Sequence, residues 1–344
     1  MKKGFLVRIF ETAGCFITAV VLVFLFYGGL ALHVNPGQIL DVSDGWKVRK
    51  GEKTYVNISL DDMSYVFKDM KKHDTFSMSH SLNVQSHDPL VLRVYSRLSA
   101  IAVMVDNRQI YSYGFLDVSK DRMVGSGYHF VMLPSSYYGK KLTIVMEASM
   151  DDAIISAPEI VITPADDAIF VFSRERIFGI FAGLFMVIAG FALIILSVPA
   201  VYMDRRFYPL AVIGLFSCAS GIWCLSSIKA LQLFSGDVTL NSILEYLAMY
   251  FLPVPALFLS SHFRQGASPR IKKFIGYIGM AATAFFFIAL FLHVSGIMSV
   301  AGTVKVYHVL LVPIILTLVF AGTSKWRKLK SGIGWVSLGF CQRI

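Results

Sequence analysis

Polarity along this chain is ordered, and that order constrains the fold more than any single motif does. Residues 13–32 (AGCFITAVVLVFLFYGGLAL) carry no charge and are long enough to cross a bilayer. A polar stretch, residues 33–170, follows. From residue 177 onward, apolar segments return at regular intervals. Soluble metabolic enzymes are not built this way. A folded domain held on one side of a membrane, followed by helices inside it, is how receptors are built.

Composition supports this reading and closes off others. At 56% hydrophobic residues, the chain is too apolar for a soluble globule. Its net charge of +10 would suit nucleic acid if it were spread evenly, but residues 33–170 hold 17 of the 22 acidic residues and only 14 of the 32 basic ones. The positive excess therefore lies in short loops between apolar segments, where it sets orientation and is no nucleic-acid surface. Cys15, Cys218, Cys224 and Cys341 all lie in apolar segments, which gives neither a disulfide framework nor a metal-binding pair.

Lys2, Lys3 and Arg8 precede the first apolar run, so residues 1–32 read either as a signal peptide or as a retained transmembrane anchor. Gly29 and Ala31 are small residues suited to a cleavage site. Both readings export residues 33–170. The spans fall near 177–200, 207–228, 241–262, 272–293 and 304–323, with another starting near 332. Basic residues alternate loop by loop. Arg205 and Arg206 occupy the first loop, Arg264, Arg270, Lys272 and Lys273 the third, and Lys325, Arg327, Lys328 and Lys330 the fifth. The second loop holds only Lys229 against Asp237. Positive loops face the cytoplasm, which puts residues 33–170 and 229–240 outside, on a multi-pass protein of the cell membrane. Arg174 and Arg176, just before the first span, run against this pattern and read as snorkelling toward headgroups.

The exported region reads as β. Residues 76–82 alternate, with Phe76, Met78, His80 and Leu82 on one face and three serines on the other. Further strand candidates are 90–95, 101–105, 110–113, 129–133, 142–148 and 159–163. Asp106-Asn107-Arg108-Gln109 reads as a hairpin-like turn. Seven or eight short strands with no strong amphipathic helix predict a β-sandwich or jelly roll.

The segments DGWKV (44–48), VMVDNRQIYSYG (103–114) and YHFVMLPSSYYGKKLTI (128–144) resemble a galactose-binding-type jelly roll. Such a domain, placed between an export signal and a set of spans, is similar to the bacterial seven-transmembrane receptors with diverse intracellular signalling modules. The resemblance implies an extracytoplasmic sensor (33–170) on a transmembrane bundle (171–344). That bundle would pass ligand state to a cytoplasmic output domain, often a GGDEF diguanylate cyclase or a histidine kinase. A homodimer is among the arrangements this architecture permits. The chain departs from the pattern at its end. Residues 332–344 make about 20 Å of helix against a core of about 30 Å, so the bundle reads as five spans and part of a sixth. No output domain can be read, and the expectation is a truncated receptor that is not itself an enzyme.

Tyrosines crowd one part of the exported region. Tyr111, Tyr113, Tyr128, Tyr137 and Tyr138 are the candidate ligand contacts, because sugar rings stack on aromatics and their hydroxyls need hydrogen-bond partners. The competing reading makes some of them sandwich core. His73, His80, His87 and His129 match no zinc spacing, and Asp61-Asp62 and Asp151-Asp152 lack the spacing of a calcium loop. No metal, cofactor or catalytic residue is predicted. Glu245 and His308 are the ionisable residues nearest membrane depth, each close to an outer end. Gly179 and Gly183 are spaced for close helix packing, and Pro253 and Pro255 should break or bend the third span. The expected function is a membrane receptor for a small molecule such as a carbohydrate. The rival is a transporter or permease component with an exported capture domain, against which stand the lack of an internal repeat and the few charges within the spans.

Overall fold

A computed structural model describes residues 40, 42–83, 86, 88–263 and 269–319. The apolar helix expected at 13–32, His87 and the sixth span from 332 lie outside the described residues. The chain divides into two compact units. One comprises residues up to Phe185 together with Cys224–Glu245, and the other comprises Met186–Trp223 together with residues from Tyr246 onward.

Among the described residues of the first unit there are nine antiparallel strands: β1 (Trp46–Lys50), β2 (Lys53–Ile58), β3 (Thr75–Ser81), β4 (Leu90–Ser96), β5 (Ser99–Val105), β6 (Arg108–Tyr113), β7 (Gly127–Met132), β8 (Lys141–Ala148) and β9 (Ile160–Pro164). They form a six-stranded sheet in the order β2-β1-β3-β8-β5-β6 and a three-stranded sheet in the order β7-β4-β9. The alternation of residues 76–82 places Phe76, Met78 and Leu82 in the core, with His80 partly exposed. Asp106 and Asn107, with φ of 46° and 67°, form the two-residue turn between β5 and β6. Two left-handed residues are what a tight hairpin of the sheet's own twist demands. Arg108 and Gln109 belong to β6 itself.

The β1–β2 hairpin was not expected from the sequence. Its residues, WKVRKGEKTYVNI, carry three lysines, an arginine and a glutamate, as suits a hairpin whose β2 is an edge strand with no fully buried residue. Only Trp46 and Val48 of β1 point into the core. Charge along an exposed edge discourages pairing with another chain, and it also hides the strand from a hydrophobic pattern search.

β4 reads LVLRVYS, and all but Tyr95 are buried. Leu92 and Val94 face the core between the sheets. The opposite face of β4 is covered by a short helix, α1 (Ala168–Glu175), which buries Ala168, Val171 and Phe172. Burial on both faces is why this strand lacks alternation.

Among the described residues, five segments are long and apolar enough to cross a membrane: Ile177–Met203, Arg205–Ser227, Val238–His262, Arg270–Val294 and Ala301–Val319. This is consistent with a membrane protein. They contain helices α2 (Ile177–Met203), α3 (Tyr208–Ser227), α4 (Val238–Phe251), α5 (Pro253–Phe263) and α6 (Pro269–Val294). The third segment is broken as its prolines predict. α4 ends at Phe251, and Pro253 opens α5 at the one helical position where its missing N–H costs nothing. In the first unit, Gly179 admits Ile228 to the surface of α2, where Cys224 Sγ lies 3.6 Å from Gly179 O. In the second unit, Gly190 and Gly214 allow α2 and α3 to touch backbone to backbone. Also in that unit, Tyr250 donates to Val300 O at 2.9 Å and Tyr307 donates to Met249 O at 3.0 Å.

Candidate functional site

The β domain is fastened to the connector between α3 and α4. The fastening begins with chain direction. β7 is preceded by Val124-Gly125-Ser126, and these residues meet a 3-10 turn, Ala230–Leu233, and the first turns of α4. Gly125 N and Tyr113 Oη both bond Thr239 Oγ1, at 3.2 and 2.9 Å. Ser126 N donates to Ser242 Oγ at 2.7 Å, and that hydroxyl returns a bond to Ser126 O at 3.2 Å. Tyr128 N donates to Gln232 Oε1 at 2.9 Å, and Gln232 Nε2 donates to Tyr128 O at 3.3 Å. Gly125 is required by the backbone it meets, and Gly127 leaves room for side chains of the connector. A Cβ on Gly125 would overlap the Val238 carbonyl, and one on Gly127 would overlap the Gln232 amide.

The connector is itself braced. Asp237 Oδ1 caps α4 by accepting from Thr239 N at 2.9 Å and Leu240 N at 3.0 Å. This is the ordinary use of an aspartate at a helix start. Lys229, at a left-handed φ of 62° and buried, reaches Glu245 Oε2 at 2.5 Å. The partner of Lys229 is therefore Glu245. Because residues 113–128 bond residues 232–242 directly, both lie on the same side of any membrane these helices cross.

Directly behind the joint stands His129, buried between the two sheets. Its Nε2 lies 2.7 Å from Ser96 Oγ and its Nδ1 lies 2.9 Å from Tyr111 Oη. The rings of Tyr111 and Tyr113 flank it with centroids at 5.5 and 5.1 Å. Burial lowers the imidazole to about 4 and pushes the Tyr111 phenol up to about 12. Burial raises Tyr113 as well. The cluster is uncharged near neutrality.

On the outer face of the three-stranded sheet, a charged clasp ties α1 and the start of α2 to the strands. Arg93, only 3% exposed, donates through Nη2 to Glu159 at 3.0 Å and to Glu175 at 2.9 Å. Arg176 lies over the rings of Tyr128 and Phe172, with Cζ at 4.5 and 4.3 Å from their centroids. It also bonds Glu175 and the Tyr128 hydroxyl. Tyr128 Oη in turn donates to Glu159 at 2.6 Å. Burial, with Glu159 beside it, raises the Tyr128 phenol above its usual range. Arg176, expected to snorkel toward headgroups, instead has its guanidinium engaged by two carboxylates, the Tyr128 hydroxyl and two aromatic faces of the protein.

The five tyrosines singled out by composition do not share one surface. Tyr111 and Tyr113 pack inward against His129, and Tyr128 sits in the clasp with its backbone in the joint. Tyr137 is buried at the far end of the domain, where its hydroxyl accepts from Ser86 N at 2.8 Å. Tyr138, its neighbour, is exposed. The sequence reading passed over Arg93, Glu159, Gly125, Gln232, Thr239 and Ser242. Arg93 left a signal, a lone charge inside an apolar strand. The others left none, because their partners lie more than a hundred residues away or on the opposite element.

The fold and this site define an antiparallel β domain bonded to the connector of a helical segment with five candidate membrane spans. No protein-family model and no curated protein matches the chain. Among solved structures, the FMN-binding beta-glucuronidase from Facaelibacterium prausnitzii L2-6 is similar over 38% of this chain, at 12% identity and a TM-score of 0.27. The PA14 sugar-binding domain from RTX adhesin is similar over 26% of it, at 13% identity and a TM-score of 0.18. The aligned parts cover 23% and 45% of those chains. Likeness at this level carries no inference about the ligand of this chain.

Proposed function

We propose that this chain is the sensing and membrane part of a receptor. In this reading an extracytoplasmic jelly roll of the galactose-binding type detects a small molecule and passes its state through the helices to a cytoplasmic output domain. The order of parts is that of the seven-transmembrane receptors with diverse intracellular signalling modules. One observation carries the reading. The β domain is bonded through backbone and side chain to the α3–α4 connector, so a shift of β7 must move α4 or break the joint. A capture domain serving a transporter needs only a tether, whereas a sensor needs a joint without slack.

Two measurements test this. With the native cysteines replaced, Lys120→Cys and Gly236→Cys should react with an impermeant maleimide on intact cells, and Arg205→Cys only after permeabilisation. Gly236 has no atoms near its Cβ position, so the label is tolerated there. Fused to a cytoplasmic kinase reporter, the pair Thr239→Ala and Ser242→Ala should change basal output. Protection of position 236 from outside, or output indifferent to the joint, would overturn the proposal.

A further inference from the structure

In the second unit, α5 and α6 lie side by side and leave a groove of about 480 Å³ between them. Val254, Leu257 and Phe258 line it from α5, and Ile275, Met280 and Phe287 line it from α6. Gly276 and Gly279 form its floor, and a Cβ added to either would meet nothing within 4 Å. Thr283 also lines the groove, but its hydroxyl donates to Gly279 O at 2.9 Å and is satisfied within its own helix. From Ile275 to Phe287 the groove follows α6 for about 18 Å, against about 15 Å for one leaflet, half of the hydrocarbon core of a bilayer. Only five residues separate the end of α5 from the start of α6, so Ser261 and the first turns of α6 stand at the same end of the groove.

We propose that this groove holds one acyl chain of an anionic phospholipid, whose phosphate is bound by the basic first turn of α6. The groove itself asks for hydrocarbon, because its walls are aliphatic and aromatic and its length is that of a chain in one leaflet. The end marked by Ser261 asks for an anion. Arg270, Lys272 and Lys273 are exposed there. Lys272 and Lys273 precede Gly276 by four and three residues, the spacing that puts side chains on one face of a helix. Neither α5 nor α6 contains an aspartate or a glutamate, and the dipole of α6 adds positive charge at its start. A phospholipid meets both demands at once, with its phosphate at the lysines and its chain running past Gly276 and Gly279 toward Phe287. A second helix laid in the groove would cover the glycines but would leave the three cations without a counter-charge. In the orientation set by the basic loops, this end faces the cytoplasmic leaflet, where basic pockets between helices take anionic headgroups.

The proposal takes from the receptor reading only the membrane and its orientation, so its failure would leave the sensor role standing. The full chain in mild detergent is given equal amounts of palmitoyl-oleoyl phosphatidylglycerol and palmitoyl-oleoyl phosphatidylcholine and read by native mass spectrometry. One phosphatidylglycerol should stay bound, at about tenfold over phosphatidylcholine. Lys272→Gln with Lys273→Gln should erase that preference. Arg205→Gln with Arg206→Gln, the basic pair of a different loop, should leave it intact. Gly276→Leu with Gly279→Leu fills the groove and should lower retention of phosphatidylglycerol by about tenfold. Both lysines are exposed, so their variant keeps the fold and tests the site even if the glycine variant loses helical circular dichroism. Equal retention of the two lipids by the parent chain, or a preference that survives the lysine variant, overturns the proposal. Unchanged retention in a folded glycine variant does so too, as does a lipid-free mass of two chains, which would give the groove to a second copy.

Discussion

The two poles of the β domain are built from the same strands and have opposite characters. At the joint, Gly125 lets backbone meet backbone and Gly127 admits the Gln232 side chain, donors and acceptors are matched in pairs, and His129 is sealed among hydroxyls. At the other pole the strands open onto a cavity and Gly139 has nothing near its Cβ position. Tight packing suits the transmission of displacement, and open space leaves room for local change. β4 and β7 belong to both ends, so a domain of one core can hold a closed joint and an open pocket at once.

The sharpest way to break this contrast is to add bulk at each pole. Gly125→Leu should cost about 3 kcal/mol, because the added side chain meets the Val238 backbone, which cannot yield as a flexible side chain could. Gly139→Ala, at φ of 74° in open space, should cost only about 1 kcal/mol, from backbone strain alone. Chemical unfolding of the full chain measures both. Equal costs would mean that the joint is looser than its geometry.

Acid should attack the joint next. His129 accepts a proton in the fold only near pH 4, whereas in the unfolded chain it does so near 6.5. The folded state is thus fully stable above about pH 6.5 and loses about 3 kcal/mol as pH falls toward 4. Tyr111 and Tyr113, the groups facing the ring, keep their protons throughout that window because burial raises both. His129→Phe should flatten this limb of the stability–pH curve. An unchanged limb would place the acid sensitivity elsewhere.

The smallest expected effect concerns the tyrosines. Tyr128→Phe removes the hydroxyl shared by Glu159 and Arg176 and should cost about 1–2 kcal/mol, whereas Tyr138→Ala, at an exposed side chain, should stay within about 0.5 kcal/mol. Comparable values for the two would show that the clasp contributes nothing beyond ordinary surface packing.

Much of the β fold was legible. The alternation of residues 76–82 and the Asp106-Asn107 turn need only local geometry, and each forms as local geometry requires. β1 and β2 were hidden because an edge strand has no buried face to advertise. The tyrosines were legible as a cluster in sequence, not as a site. Alternation sends Tyr111 and Tyr113 inward, while Tyr128 occupies the outer face of the other sheet beside Arg93. Tyr137 and Tyr138 are adjacent, and one is buried while the other meets solvent.

By itself the sequence determined where apolar segments long enough to span a membrane lie, which region between them is β, and where prolines break the third span. These depend on local composition and on periods of a few residues, which is all that a hydrophobic pattern records. Only the tertiary structure decided that Gly125 meets Val238, that Arg93 draws Glu159 and Glu175 together, and that Lys229 neutralises Glu245. Each of these pairings depends on how the chain closes on itself in three dimensions, and the free energy of closure leaves no mark on the residues between.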